Sequence, residues 1–145
     1  RDWSSDVCSS DLLVVTPNLP EAAALLGARI AANEDEMCEQ ALQLIALGAN
    51  AVLIKGGHGA GSESADFLVR SNSVTRVGGA RFATRNTHGT GCTLSSAIAA
   101  GLAKGMTLTA ATRMAKNYVT SAIASADRMS IGSGAGPVHH FYRWW

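Results

Sequence analysis

The sequence predicts an α/β domain built on a mainly parallel sheet. Two short continuous apolar runs, residues 12–15 and 51–54, suit strands buried on both faces. Each runs into a loop of unusual composition. Segments with a helical period follow them, and strands alternating with helices are the pattern of a parallel α/β sheet. Composition agrees: 145 residues with 47% hydrophobic and 16% charged content fit one globular domain large enough to bury a core.

Taken in order, residues 1–12 (RDWSSDVCSSDL) hold two near-copies of a Ser-Ser-Asp unit and keep no period. There is no initiator Met and no basic segment ahead of an apolar core. This stretch therefore reads as a non-native segment resembling a translated adapter on a truncated chain, and Cys8 and Trp3 are set aside with it. A natural disordered tail is the alternative. The trusted region is residues 13–145. The strand at 12–15 ends in Thr16-Pro17-Asn18. Residues 19–26 then form a helix, with Pro20 in the first turn, where a missing N–H costs nothing, and Gly27 as its stop. A second helix takes Asn33 as N-cap, carries Glu34, Asp35 and Glu36 where the helix dipole favours acid, and ends at Gly48. Its predicted core face is Cys38, Ala41, Leu42 and Ile45.

The strand at 51–54 opens into Lys55-Gly56-Gly57-His58-Gly59-Ala60-Gly61, too glycine-rich for either regular element. Residues 65–70 and 73–77 are expected to pair antiparallel across Ser71-Asn72, and residues 81–84 to add an edge strand. Residues 90–104 read as a helix with Leu94, Ala97, Ile98, Gly101 and Leu102 inward. Residues 107–127 read as a longer one with Leu108, Ala111, Ala115, Val119, Ala122 and Ile123 inward.

Several function classes are disfavoured. Twelve Lys+Arg against eleven Asp+Glu leave a net charge of +1 with no basic run, so the footprint for nucleic acid is missing. Apolar stretches such as residues 97–103 fall far short of the roughly 20 residues that cross a bilayer. Cys8, Cys38 and Cys92 are scattered, which argues against a disulfide framework or zinc site and for a reducing cytoplasm.

Ligands of open α/β sheets gather at the carboxyl ends of strands. Three such ends stand out here: residues 16–21, residues 55–59, and Asn86-Thr87-His88-Gly89-Thr90-Gly91-Cys92. They are treated as one site. In the last, small residues directly before a helix leave backbone N–H groups free to converge on an anion, aided by the helix dipole. Neither a P-loop nor a GxGxxG fingerprint is present. Cys92 falls in the first turn, where the dipole favours a thiolate able to accept a proton. A small buried core cysteine is the equal alternative there, and is much the better reading of Cys38. Lys55 suits phosphate oxygens or a solvated strand end. Asn18 and Glu21, three apart, put both side chains on one helix face. There Glu21 would hold a metal ion or its waters, or the pair would simply cap the helix. His88 is a ligand contact or a loop histidine satisfied by backbone. A thiol or redox enzyme built on Cys92 lacks a resolving cysteine nearby.

These segments together resemble the hydroxymethylpyrimidine and phosphomethylpyrimidine kinases of thiamine biosynthesis, in the ribokinase-like superfamily. The resemblance is carried by Thr16-Pro17-Asn18-Leu19-Pro20-Glu21-Ala22, by Val52-Leu53-Ile54-Lys55-Gly56-Gly57-His58, and by Asn86-Thr87-His88-Gly89-Thr90-Gly91-Cys92-Thr93-Leu94-Ser95. A closing glycine-rich stretch followed by Pro137-Val138-His139-His140-Phe141-Tyr142-Arg143-Trp144-Trp145 completes it, in the family's order and spacing. It covers residues 12–145 and corresponds to the C-terminal half of a longer family chain. It implies a three-layer α/β/α fold truncated at its N-terminus.

The resemblance further implies an anion hole at Gly89, Thr90 and Gly91, with Cys92 in the catalytic-base position and against the substrate. Asn18 and Glu21 would order Mg2+ and its waters, with Glu21 the metal residue, and Lys55 would lie near the nucleotide phosphates. Thr87 near the nucleotide and His88 near the substrate are weaker transfers. The family's Gly-His-Gly-Pro turn reads Gly134-Ala135-Gly136-Pro137 here, so no histidine is assigned at that place. The implied activity is ATP-dependent phosphorylation of 4-amino-5-hydroxymethyl-2-methylpyrimidine and of its monophosphate. A pyridoxal or pyridoxine kinase and a catalytically incomplete nucleotide-binding fragment are the alternatives. Expected partners are the small-molecule pyrimidine and ATP, with neither nucleic acid nor membrane, and with room for a homodimer of the intact protein.

Overall fold

The computed structural model describes residues 12–57 and 62–145. Residues 1–11, with Cys8 and Trp3, and His58 to Gly61 of the glycine loop lie outside the described residues. The chain divides into two compact units, residues up to Gly78 and residues from Gly79 onward.

The first unit contains helices α1 (Leu19–Leu26) and α2 (Glu34–Ala46) and strands β1 (Val52–Lys55), β2 (Asp66–Arg70) and β3 (Ser73–Val77). Helix α1 stops at Gly27, whose φ of +60° closes the last turn at no steric cost. Helix α2 starts because the Asn33 side chain accepts the Glu36 N–H at 2.9 Å. Leu19, Ala22, Met37, Ala41 and Leu44 from the helices pack with Val52, Ile54, Phe67 and Val69 from the strands. The α2 core face is thus turned from the expected one. Leu42 is 45% exposed, while Leu44 is fully buried. Met37, Ala41 and Leu44 form an i, i+4, i+7 ridge, and Gln40 is buried beside it because its Nε2 donates to the Arg29 carbonyl at 2.6 Å. Cys38 and Ile45 are half-buried at the ridge's edge. Burial raises the Cys38 thiol pKa, with Asp35 and Glu34 adding to it, as suits a packing role.

The named strands form one antiparallel sheet in the order β1-β2-β3. The β2–β3 hairpin turns at Ser71-Asn72 as expected. In the first unit parallel pairing lies on the other edge of β1, where Val15 forms an isolated bridge to Val52 and residues 12–15 form no strand; in the second unit His88 and Pro137 form another isolated parallel bridge. The Leu53 N–H donates to Val15 O at 2.8 Å and the Lys55 N–H to Pro17 O at 2.9 Å. The mainly parallel arrangement is therefore only partly present among the described residues. A parallel return needs a crossover of a dozen or more residues, usually a helix; residues 56–65 are too few and return as an antiparallel connection.

The second unit holds α3 (Thr90–Ala103), α4 (Leu108–Ala124) and a 3₁₀ turn at Ala126–Arg128. The helix expected over 107–127 begins one residue later, because Thr107 caps it from outside by accepting the Ala110 N–H at 3.3 Å, and it ends at Ala124, where Ser125 leads into the 3₁₀ turn. Leu94, Ile98 and Gly101 of α3 are buried, as are Leu108, Ala111, Ala115, Val119 and Ala122 of α4. A Cβ on Gly101 would stand 2.9 Å from that of Ala111, so glycine there allows close approach. Residues 81–84 form no strand. Thr84 instead bonds by its side chain to Asp127 and to the Asn86 backbone. No helix among the described residues is long and apolar enough to cross a membrane.

Leu44→Ala is expected to cost about 2–5 kcal/mol in urea unfolding and Leu42→Ala about 1 kcal/mol or less. Equal costs would contradict the observed core face. A second expectation concerns acid stability. Arg29 grips Glu36 at 2.8 and 2.9 Å and the Ala32 N–H adds 2.8 Å. The Arg29 contact first, then the Ala32 bond, hold the Glu36 carboxyl below the usual carboxylate range. A depressed group contributes stability that is complete above its unfolded value and lost as pH falls through the folded one. Glu36→Gln should therefore flatten the stability curve below about pH 4.3, read by thermal melting at a series of pH values; an unchanged acid limb would remove Glu36 from that role.

Candidate functional site

In the first unit, the pairing of residues 15–17 with β1 places Asn18 beside Lys55, and the two form a parallel bridge. Asn18 and Glu21 make a capping box. The Asn18 Oδ1 accepts the Glu21 N–H at 2.8 Å, and Glu21 Oε2 accepts the Asn18 N–H at 2.7 Å. The capping reading of this pair is thus realised. Lys55 is not a solvated strand end. Its Nζ donates to the Thr16 carbonyl at 2.7 Å and lies 3.9 Å from Glu21 Oε2, with 19% of its side chain exposed. Asn18, Glu21 and Lys55 therefore form one cluster, in which a tethered ammonium faces a carboxylate that is 57% exposed.

The residue that shapes the turn after Lys55 is one the sequence reading did not single out. Asp66 lies opposite Lys55 in the β1–β2 register and is buried, with Oδ1 accepting the Gly56 N–H at 3.0 Å. A Cβ on Gly56 would run into the Ala65 carbonyl, so only glycine fits there. The available signal was an acid heading an apolar strand, which is costly unless the acid is bonded.

In the second unit, Gly89 takes a φ of +82° and opens α3 as its N-cap without a side-chain cap bond. The Thr90 N–H reaches the Thr87 carbonyl at 3.4 Å and the Thr93 N–H the Gly89 carbonyl at 2.9 Å. The N–H groups of Gly91 and Cys92 find no acceptor among the described residues, which is the condition for an anion cradle. Cys92 is exposed, so the buried-core alternative does not hold for it. Thr87 and His88 are exposed as well. The His88 N–H donates to the Gly136 carbonyl at 3.1 Å, so its backbone is committed to holding the loop. Asn86, which the sequence reading noted only as part of its motif, donates through Nδ2 to Asp127 at 2.9 Å and to the Ala126 carbonyl at 3.3 Å. The closing segment returns along α4, with the His139 N–H on the Ala122 carbonyl at 3.1 Å.

Among the described residues, no cluster of three or more His, Cys, Asp or Glu is placed to hold a metal. Mg2+ keeps most of its waters and takes only one or two carboxylates from a protein, and Glu21, with Oε1 unengaged among the described residues, has the chemistry of such a carboxylate.

A strand-end cluster of Lys, Glu and Asn, and a glycine-capped helix with open amides, belong to the ribokinase-like class of α/β proteins. The family model described as phosphomethylpyrimidine kinase matches residues 7–139, and the chain belongs to that family. It is 56% identical over 133 residues to the hydroxymethylpyrimidine/phosphomethylpyrimidine kinase of Rhizobium meliloti (strain 1021), covering 92% of this chain and 50% of that protein. The protein of the same name from Escherichia coli (strain K12) is 48% identical, with 91% and 50% covered. The chain thus spans about half the length of the curated relatives it matches. Among solved structures, Staphylococcus aureus pyridoxal kinase in complex with AMP-PCP and pyridoxal superposes with a TM-score of 0.87 at 32% identity, covering 93% of this chain and 50% of that one. Clostridium difficile phosphomethylpyrimidine kinase gives 0.61 at 37% identity, with 77% and 43% covered.

Asn18→Ala removes the acceptor for the Glu21 N–H and should cost about 1 kcal/mol in urea unfolding, while Asn18→Ser should retain most of it. Identical stability of all three proteins would show that the capping bond contributes nothing.

Proposed function

We propose that the protein carrying this chain is an ATP-dependent kinase that phosphorylates 4-amino-5-hydroxymethyl-2-methylpyrimidine and then its monophosphate. The observation that carries the reading is the start of α3, where Gly91 and Cys92 amides that have no acceptor among the described residues stand beside an exposed Cys92 thiol, in a member of this family. The hydroxymethyl oxygen forms a bond to the γ-phosphorus of ATP, the bond from that phosphorus to the β-γ bridging oxygen breaks, and ADP leaves. Cys92 Sγ orients the hydroxyl and takes its proton. Backbone amides over Gly89, Thr90, Gly91 and Cys92 receive the charge that spreads over the transferred group. Lys55 is assigned to the nucleotide phosphates, with Thr87 near them and His88 near the pyrimidine. Glu21, oriented by Asn18, is assigned to Mg2+ through water; the ion, when bound, neutralises phosphate charge. A reducing, cytoplasmic setting is proposed from the three scattered cysteines of the sequence.

In the second step the acceptor is a phosphate that is already ionised and needs no base. Cys92→Ala should therefore slow the first phosphorylation by about 100-fold or more and the second by only a few-fold. Mass spectrometry of both products from hydroxymethylpyrimidine and from its monophosphate reads the difference, and equal losses would assign Cys92 to packing. The likeness to pyridoxal kinase favours one second reading, a pyridoxal kinase, so pyridoxal is assayed in parallel. Transfer to pyridoxal alone would establish it, and nucleotide binding with transfer to none would mark a catalytically incomplete fragment.

A further inference from the structure

We propose that Asp127 is a positioning residue that holds the loop preceding α3 in the shape that presents its amides. Its meaning for catalysis rests on the kinase reading above; its structural content does not. Thr87 and His88 are exposed, and Gly89 caps α3 without any side-chain bond. What ties the loop down is a ring of bonds reaching across 41 to 43 residues of sequence. The Thr84 hydroxyl donates to Asp127 Oδ1, and the same hydroxyl oxygen accepts the Asn86 N–H at 3.1 Å. The Asn86 amide nitrogen then donates to Asp127 Oδ1 at 2.9 Å and to the Ala126 carbonyl at 3.3 Å.

The other side of Asn86 is closed sterically. A Cβ on Gly136 would overlap the Asn86 side-chain oxygen, so Gly136 must be glycine for its carbonyl to reach the His88 N–H at 3.1 Å. Residues 84, 86 and 88 are therefore clamped in succession between the 3₁₀ turn and the Gly136-Pro137 segment. The next residue, Gly89, turns the chain into α3. A carboxylate accepting two donors on one oxygen gives stronger, shorter bonds than a neutral acceptor. Asp127 is the single group shared by both ends of the ring. Without it, Thr84 and Asn86 have no common partner, and the direction in which the Gly91 and Cys92 amides point is no longer fixed by the loop.

The test compares wild-type protein with Asp127→Ala, Asp127→Asn and Thr84→Val. Amide hydrogen exchange at Asn86 and His88 should quicken about tenfold or more in Asp127→Ala and stay within about threefold in Asp127→Asn, whose amide oxygen can accept the same two donors. Thr84→Val keeps the side-chain shape but removes the hydroxyl, and should quicken Asn86 more than His88. Exchange in β1 and in the α3–α4 core should not change. With ATP and hydroxymethylpyrimidine, Asp127→Ala should lower kcat by roughly 10- to 100-fold and leave KM for the pyrimidine within about twofold, because a misdirected cradle weakens the transition state rather than substrate binding. Unchanged exchange in Asp127→Ala and Thr84→Val would overturn the proposal, as would an Asp127→Asn that loosens as much as Asp127→Ala. Loosening spread evenly through α3 and α4 would also overturn it, leaving Asp127 a general fold residue. If the wild-type protein transfers phosphate to no acceptor, the kinase reading fails while the exchange comparison still decides the role of Asp127.

Discussion

Strand β1 is four residues long, and Val52, Leu53 and Ile54 are fully buried, so its backbone must be paired on both edges or carry a large desolvation cost. The first unit depends on that constraint. On one edge β2 supplies an antiparallel ladder, and on the other residues 15–17 supply parallel bonds. The second pairing does more than satisfy backbone. It delivers the chain into the Asn18 cap at the height of Lys55, so a lysine leaving one segment and a glutamate on the first turn of a helix meet at 3.9 Å. The tether from Lys55 Nζ to the Thr16 carbonyl restrains the ammonium further, which would lower the entropy lost in the proposed binding of nucleotide phosphates.

The glycines near the two clusters serve for different physical reasons. Gly89 needs its glycine for conformation: the space around a Cβ is open, yet its φ of +82° is one that other residues rarely adopt. Gly56 and Gly136 need theirs for space, since a Cβ would strike the Ala65 carbonyl in one case and the Asn86 side chain in the other. A glycine-rich sequence alone does not separate these cases. It announces a loop, and only the packed chain shows which glycine turns the backbone and which lets a neighbour approach.

Local signals were legible wherever a residue acts on its own neighbours. The caps at Asn18 and Asn33, the stop at Gly27 and the turn at Ser71-Asn72 all stand where short-range chemistry places them. What the sequence left hidden is long-range. The choice of Leu44 over Leu42 for the core depends on how α2 is rotated against β1 and β2, and a helix carrying both residues has no means of declaring that rotation. Residues 81–84 alternate like a strand, but Thr84 is captured by an aspartate 43 residues away. Asp66 and Asp127 escaped notice, and Asn86 was noted only as part of its motif, for the same reason: each reads as an ordinary polar residue until its distant partner is known.

Cys38 and Cys92 show how environment separates two identical side chains. Cys38 is half-buried against the first unit's core, so its identity is explained by packing and by the volume it fills. Cys92 fills nothing: it is exposed, and it sits in a first turn where Thr90 and Thr93 have backbone acceptors and Gly91 and Cys92 have none among the described residues. A thiol at such a place contributes little to stability, since the helix would start equally well with serine or alanine there. The residue type is then free to answer to chemistry instead. In the kinase reading that chemistry is the handling of one proton at the point where the amides gather charge, a task that requires a small, ionisable group at the mouth of the helix.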